Sequence, residues 1–165
     1  MARFKKKSSK IMKRVKQILF VVLIGFIIIQ FVQTARNQSG QVLQTDISNT
    51  YSIPNNVHTL FKNACYDCHS NNTVYPWYSN IQPVAWILAR DIENGKAKLN
   101  FSEFGSMSLR RQMSKLQNVK NRIKDGTMPL PTYQFMHSSA RLNKEKRRLL
   151  IDWIQRTIDT IASQR

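Results

Sequence analysis

Cys65-Tyr66-Asp67-Cys68-His69 is the stretch on which the reading of this chain turns. It is a Cys-x-x-Cys-His run, the spacing at which c-type haem is attached. Two thiols three residues apart can reach vinyl groups on neighbouring rings of one porphyrin. The histidine next to the second thiol is then placed against the iron. Imidazole is a strong iron ligand, and a backbone carbonyl can fix its other nitrogen. The expectation is one covalently attached haem c, held by Cys65 and Cys68, with His69 as the proximal iron ligand. Two rivals use the same residues. A structural zinc site wants about four ligands. It would have to recruit His58 or His137 and bend the adjacent Cys68 and His69 onto one ion. A thioredoxin-like redox pair wants a strand before the motif and a helix starting at it. The chain has two cysteines in all, too few for a disulfide framework, and a bridge closing so short a loop adds little stability.

Outward from the motif the pattern is helical. Asn55 or Asn56 can cap a helix whose stripe is Val57, Leu60, Phe61 and Ala64, at i, i+3, i+4 and i+7. This helix runs into Cys65, and a turn-rich aromatic stretch over 71–80 follows the motif. Pro83 can open a second helix with Val84, Ile87 and Leu88 inward, ending near Gly95. A third spans about Ser108 to Lys124 on Leu109, Met113, Leu116 and Ile123, with Gly126 as its cap. A proline-rich loop over 127–131 separates it from a last helix, which starts near Asn143 and buries Leu150, Trp153, Ile154, Ile158 and Ile161. No alternating strand pattern is found. The expected fold class is all-α with long loops.

The order of these parts resembles cytochrome c domains, in which first and last helices pack together and a loop methionine completes the iron's coordination. A closer resemblance is to the bacterial haem-binding domain family. Its members read Cys-x-Asp-Cys-His-Ser-Asn-x-Thr-x-Tyr-Pro-Trp-Tyr, then Met-Pro-x-x-x-Tyr-x-x-x-His, then a tryptophan in the last helix. Here the first pattern is Cys65 to Tyr78, with Asp67, Ser70, Asn71, Thr73, Tyr75, Pro76 and Trp77. The second is Met128, Pro129, Tyr133 and His137, and the tryptophan is Trp153. The match covers about residues 56–160. It implies a cytochrome c-like haem domain and says less about the task the haem performs.

For the sixth iron position Met128 is the leading candidate, because Pro129 restricts the loop that carries it. His137 is its rival, and a vacant position is the third option. Met113 sits in an apolar stripe, Met107 and Met136 can be gap fillers, and His58 lies beside its helix's stripe. Tyr75, Trp77 and Tyr78 either line the haem or are ordinary core aromatics. Arg90 and Arg141 are candidate partners for its propionates.

The N-terminal third reads differently. The formal net charge is +17, yet residues 1–16 hold eight basic side chains and no acid, leaving +9 on the rest. No charge interrupts Gln17 to Gln33, a run of roughly 25 Å as a helix. The organisation expected is a basic cytoplasmic tail over 1–16, a transmembrane anchor over 17–33, a polar linker over 34–55 and a c-type haem-binding domain over 56–165. A basic flank keeps its own side cytoplasmic, which places the haem domain on the periplasmic face of the cytoplasmic membrane. A cleaved signal peptide would export the domain too, although Gln33 stands where cleavage wants a small residue.

In that setting a nucleic-acid partner is disfavoured. The function expected is a one-electron carrier with His/Met-ligated iron, meeting a redox partner through an acidic docking patch. A haem-based sensor or small-ligand binder is the alternative. A peroxidase-like enzyme stands behind both, since no distal acid–base residue is evident.

Overall fold

The computed structural model describes residues 2–164, with side chains from residue 10 onward. Its helices are α1 (Ala2–Ile29), α2 (Ile47–Thr50), α3 (Asn55–Phe61), α4 (Asp67–His69), α5 (Val84–Lys98), α6 (Leu109–Lys124), α7 (Pro131–Met136) and α8 (Lys144–Ser163), with short 3-10 and π turns between some of them. Among the described residues there is no strand, only an isolated antiparallel bridge between Gln38 and Asn72. The chain forms two compact units. One comprises the residues up to Ala35 together with Pro76–Ala89, the other Arg36–Tyr75 with the residues from Arg90 on.

In the first unit the expected transmembrane helix over 17–33 is corrected. No helix among the described residues is long and apolar enough to cross a membrane. The reason is where α1 stops. It ends at Ile29, and Gln30, Phe31 and Val32 leave it through i→i+3 turns. The uncharged part of the helix is then Gln17–Ile29, about 20 Å long against a hydrocarbon core of about 30 Å. Extending the segment backwards brings in Lys16, Arg14 and Lys13. What holds the chain end is local to this unit. The Gln82 side-chain amide and the Trp86 indole N–H both donate to the Val32 carbonyl, at 2.8 and 3.1 Å, and Gln30 Oε1 accepts the Gln82 backbone N–H at 2.9 Å. Those partners lie about fifty residues downstream, so a window of hydropathy does not see them. Of the basic tail over 1–16, the side chains of residues 1–9 lie outside the described residues.

The second unit carries the core. α6 packs along α8, and α3 also packs against α8. Phe61 from α3, Phe101, Phe104, Leu116 from α6, and Leu150, Ile154 and Ile161 from α8 are essentially fully buried. Trp153 meets Phe61 edge-on at 5.4 Å, and Phe61 meets Phe101 at 5.3 Å. Each such contact adds about 1 kcal/mol beyond burial. The Trp153 indole donates to the Ser52 carbonyl at 3.1 Å, so the ring is satisfied at both ends.

The polar stretch over 34–55 contributes to this unit from Arg36 onward. Asp46 caps α2, and Ile47 is a fully buried core residue. The buried positions of α5 are Ala85, Ile92 and Gly95, Leu88 is half-buried, and Val84 and Ile87 are exposed. Of the expected inward set Val84, Ile87 and Leu88, only Leu88 turns partly inward, because the buried face of α5 begins at Ala85.

Candidate functional site

The helical run from Asn55 to His69 changes pitch just before the cysteines. α3 gives way to a π turn, Lys62–Tyr66, and then to α4. Such turns rotate the side chains that follow and are frequent at functional sites. Against this run lies α5, with no room to spare. A Cβ on Gly95 would stand 2.3 Å from the Cys68 carbonyl oxygen, so only glycine permits the approach. Gly95 is therefore not a helix end, as its position in the sequence suggests; α5 continues to Lys98.

His69 is held on two sides. Its Nδ1 lies 3.0 Å from the Leu99 carbonyl oxygen. A carbonyl only accepts, so Nδ1 carries the proton and the lone pair is on Nε2. Phe101 meets the ring edge-on at 6.1 Å. Burial holds the imidazole below its ordinary pKa, so the ring is neutral at pH 7, the form that binds metal.

Asp67, one of the two variable positions between the cysteines, is a tie point. Its Oδ2 accepts the Tyr133 hydroxyl at 2.6 Å, its Oδ1 accepts the Val74 N–H at 3.0 Å, and its carbonyl accepts the Thr73 hydroxyl at 2.6 Å. One carboxylate thus joins the motif both to the loop after it and to α7, the helix that follows Met128 and Pro129. Tyr66 is tied the other way, its hydroxyl donating to Asp46 Oδ1 at 2.9 Å. The only forward signal for Asp67 and Tyr133 was their place in the family pattern; composition and periodicity carry none. Phe101 lies in a segment with no helical period, and it was missed for that reason.

Two adjoining lobes open beside the motif, of about 190 and 410 Å³. The larger falls within the range of about 300–1,000 Å³ usual for cofactor pockets. Cys65, His69, Met128 and Pro129 line both lobes. The structure therefore brings Met128 to the same cleft as His69 and the cysteines. His137 lies elsewhere. Its ring stacks on Tyr133 at 4.1 Å, and its Nδ1 is 3.1 Å from the Tyr133 carbonyl. His58 meets the edge of Tyr66 at 6.3 Å. Met107 and Met113 pack against the core, and Met136 is half exposed. Arg141 Nε donates to the Gln134 carbonyl at 3.0 Å, and Arg90 lies beside Asp91. The Tyr75 hydroxyl accepts the Asn37 N–H at 2.8 Å, with Arg36 over its ring, whereas Trp77 is exposed and stands against Tyr78. Among the described residues no group of three or more His, Cys, Asp or Glu is placed to hold a metal ion, so the zinc reading lacks its ligand set there.

The two thiols are unbridged. Burial pushes both up to about 12, reinforced at Cys65 by Cys68 and at Cys68 by Asp67 and Asp91. In haem-free protein at pH 8, alkylation of either thiol should then run roughly a hundredfold or more slower than that of free cysteine, because the thiolate is the nucleophile. Urea should restore the ordinary rate. Timed iodoacetamide labelling read by mass checks this, and equal rates folded and unfolded would refute it. The linkage has a definite sign. Between pH 9 and 12 the folded thiols keep protons that the unfolded chain has released, so stability falls as pH rises through that window.

The model of the haem-binding domain family matches residues 24–156, well over half the chain. The chain belongs to the haem-binding domain family. Neither a curated protein nor a solved structure matches it. The donor set of this haem-binding domain fits the group that the family binds. A neutral imidazole has its Nδ1 fixed and its Nε2 available, a thioether sulfur lies on the same cleft, and the cleft walls carry apolar Ala64, Pro129 and Val119. The close passage of Gly95 brings α5, and with it Leu99, against the motif that holds His69.

Proposed function

We propose that this haem-binding domain carries its haem as haem c and works as a one-electron carrier, with His69 and Met128 as axial ligands. The observation that carries this reading is the sharing of one cleft by Cys65, Cys68, His69 and Met128. Cys65 and Cys68 would hold the porphyrin as thioethers. Each thiol adds across a vinyl double bond, sulfur to one carbon and the proton to the other, so the addition is redox-neutral. When bound, the haem supplies the one-electron iron couple.

The chain's own residues do the rest. The Leu99 carbonyl sets the tautomer and orientation of His69 and raises its basicity as a ligand. The Asp67–Tyr133 hydrogen bond anchors α7, and so the loop carrying Met128, to the motif. With both His69 and Met128 bound to it, the iron would have no site left for a substrate, which would favour electron transfer. The +9 charge outside the basic tail would speed encounters with an acidic redox partner, and would do so less at high salt.

Absorption spectra of the purified protein, matured in a host with haem-attachment machinery, test the reading. We expect a low-spin spectrum with a sulfur-to-iron band and no change on adding carbon monoxide to the reduced form. Ready carbon monoxide binding would overturn the carrier in favour of a sensor or ligand binder. In Met128→Ala the covalent haem should remain, the sulfur-to-iron band should vanish, and the potential should fall by on the order of 0.1 V, within the ≈ 0.8 V over which axial ligands set haem potentials. An unchanged band and potential would reject Met128 as the ligand.

A further inference from the structure

We propose that Lys115 and Arg122, on one face of α6, form the carboxylate-binding end of the haem cleft and so fix which way round the porphyrin lies. The inference rests on the haem reading above and deepens it. It follows from how the two lobes differ. His69, Met128, Cys65 and the cation Lys98 line both lobes, which marks the middle of the cleft, so the ends differ only in what each lobe adds. The smaller lobe adds Cys68, Asp67 and Asp91. The larger adds Lys115, Asn118 and Arg122, and no carboxylate is among its lining residues.

A haem has the same polarity. Its vinyl groups lie toward one edge and its two propionates toward the other, with the iron between them. A thioether at Cys68 puts the vinyl edge in the smaller lobe. There, propionates would meet Asp67 and Asp91, a like-charge placement that costs energy in a partly desolvated site. The opposite orientation puts them against two cations and the Asn118 amide.

The spacing on α6 supports a built face. Lys115, Asn118, Val119 and Arg122 stand at i, i+3, i+4 and i+7, one side of a helix. Arg122 is also tied to the axial-ligand loop, because its carbonyl accepts the N–H groups of Thr127 and Met128 at 3.1 and 3.3 Å. Lys115 Nζ reaches the Lys98 carbonyl in the same lobe. Other cations of this helix, Arg110, Arg111, Lys120 and Lys124, are absent from the cleft lining. The guanidinium of Arg122 suits a bidentate grip on a carboxylate.

The test compares two ligands on the haem-free full chain. Mesohaem carries ethyl groups in place of the vinyls, so it cannot react with the thiols, and its dimethyl ester lacks the carboxylate charges. Optical titration should give at least tenfold tighter binding of mesohaem than of the ester. The Lys115→Gln/Arg122→Gln double variant should lose that preference by weakening mesohaem alone, leaving ester affinity unchanged. Its helical circular dichroism reports that it is folded. Arg110→Gln/Lys124→Gln, the same charge change on α6 outside the cleft, should keep the full preference.

Equal binding of the two ligands by the unmodified chain would overturn the proposal while leaving the haem reading intact. So would a preference that survives in the first double variant, which would make the two cations part of a surface for an acidic partner. So would an equal loss in the second variant, which reports only net charge. Binding of neither ligand would overturn the haem reading and the orientation with it.

Discussion

His69→Ala should yield protein without stable haem. The substitution removes the nitrogen proposed above as the iron ligand, and no other histidine lines either lobe. It also leaves the Leu99 carbonyl without its 3.0 Å donor, a loss of about 1–3 kcal/mol if water does not replace it. That is modest beside the whole fold, since the core around Phe61, Phe101, Leu150 and Ile154 stays intact. The expected product is therefore a helical, colourless protein, with circular dichroism close to that of the haem-free parent and a mass without added porphyrin. A normal haem spectrum in this variant would refute the role of His69. Circular dichroism separates binding from folding, because a protein that is colourless and unfolded would mean only that the ring is structural.

Much of this site was legible before any coordinates, and for a physical reason. The candidate haem-binding groups stand within five consecutive residues, so spacing alone places two thiols and an imidazole together. The stripe Val57, Leu60, Phe61 and Ala64 is likewise local, and those side chains are buried. What escaped the sequence was whatever depends on distant partners. The end of α1 is set by Gln82 and Trp86, about fifty residues on, and this is what cuts the apolar helix short of a membrane span. Asp46 and Ile47 sit in a polar stretch without period, yet one caps a helix and bonds Tyr66 while the other fills the core. The Asp67–Tyr133 bond joins residues sixty-six apart. Arg90 and Arg141 looked suitable for propionates by type alone. The positions that line the larger lobe, Lys115 and Arg122, emerge only once α6 is placed beside the motif.

Gly95 is where a local rule and a tertiary contact oppose each other most sharply. In a helix interior, replacing Gly by Ala is worth about 1 kcal/mol of stabilisation from propensity alone. Here the new methyl would stand 2.3 Å from the Cys68 carbonyl oxygen, 3.1 Å from its carbon and 3.2 Å from its Cβ. Two of those three atoms are backbone, so no side-chain rotation relieves the overlap. Overpacking of this kind costs about 1–3 kcal/mol, occasionally more. The contact distance places Gly95→Ala at the costly end, and the net effect expected is a loss of about 2 kcal/mol. Gly95→Val, bulkier and β-branched, should lose more.

The site should suffer beyond the stability loss. Moving α5 away from Cys68 displaces Cys68 itself, and it displaces Leu99, which orients His69. Urea unfolding of the haem-free protein measures the first effect, and the yield of haem-bearing protein under maturation measures the second. Both should fall together, with the alanine variant intermediate between the parent and the valine variant. A gain in stability for Gly95→Ala would mean that helix propensity outweighs the contact and that the close passage of α5 over the motif is not held as described.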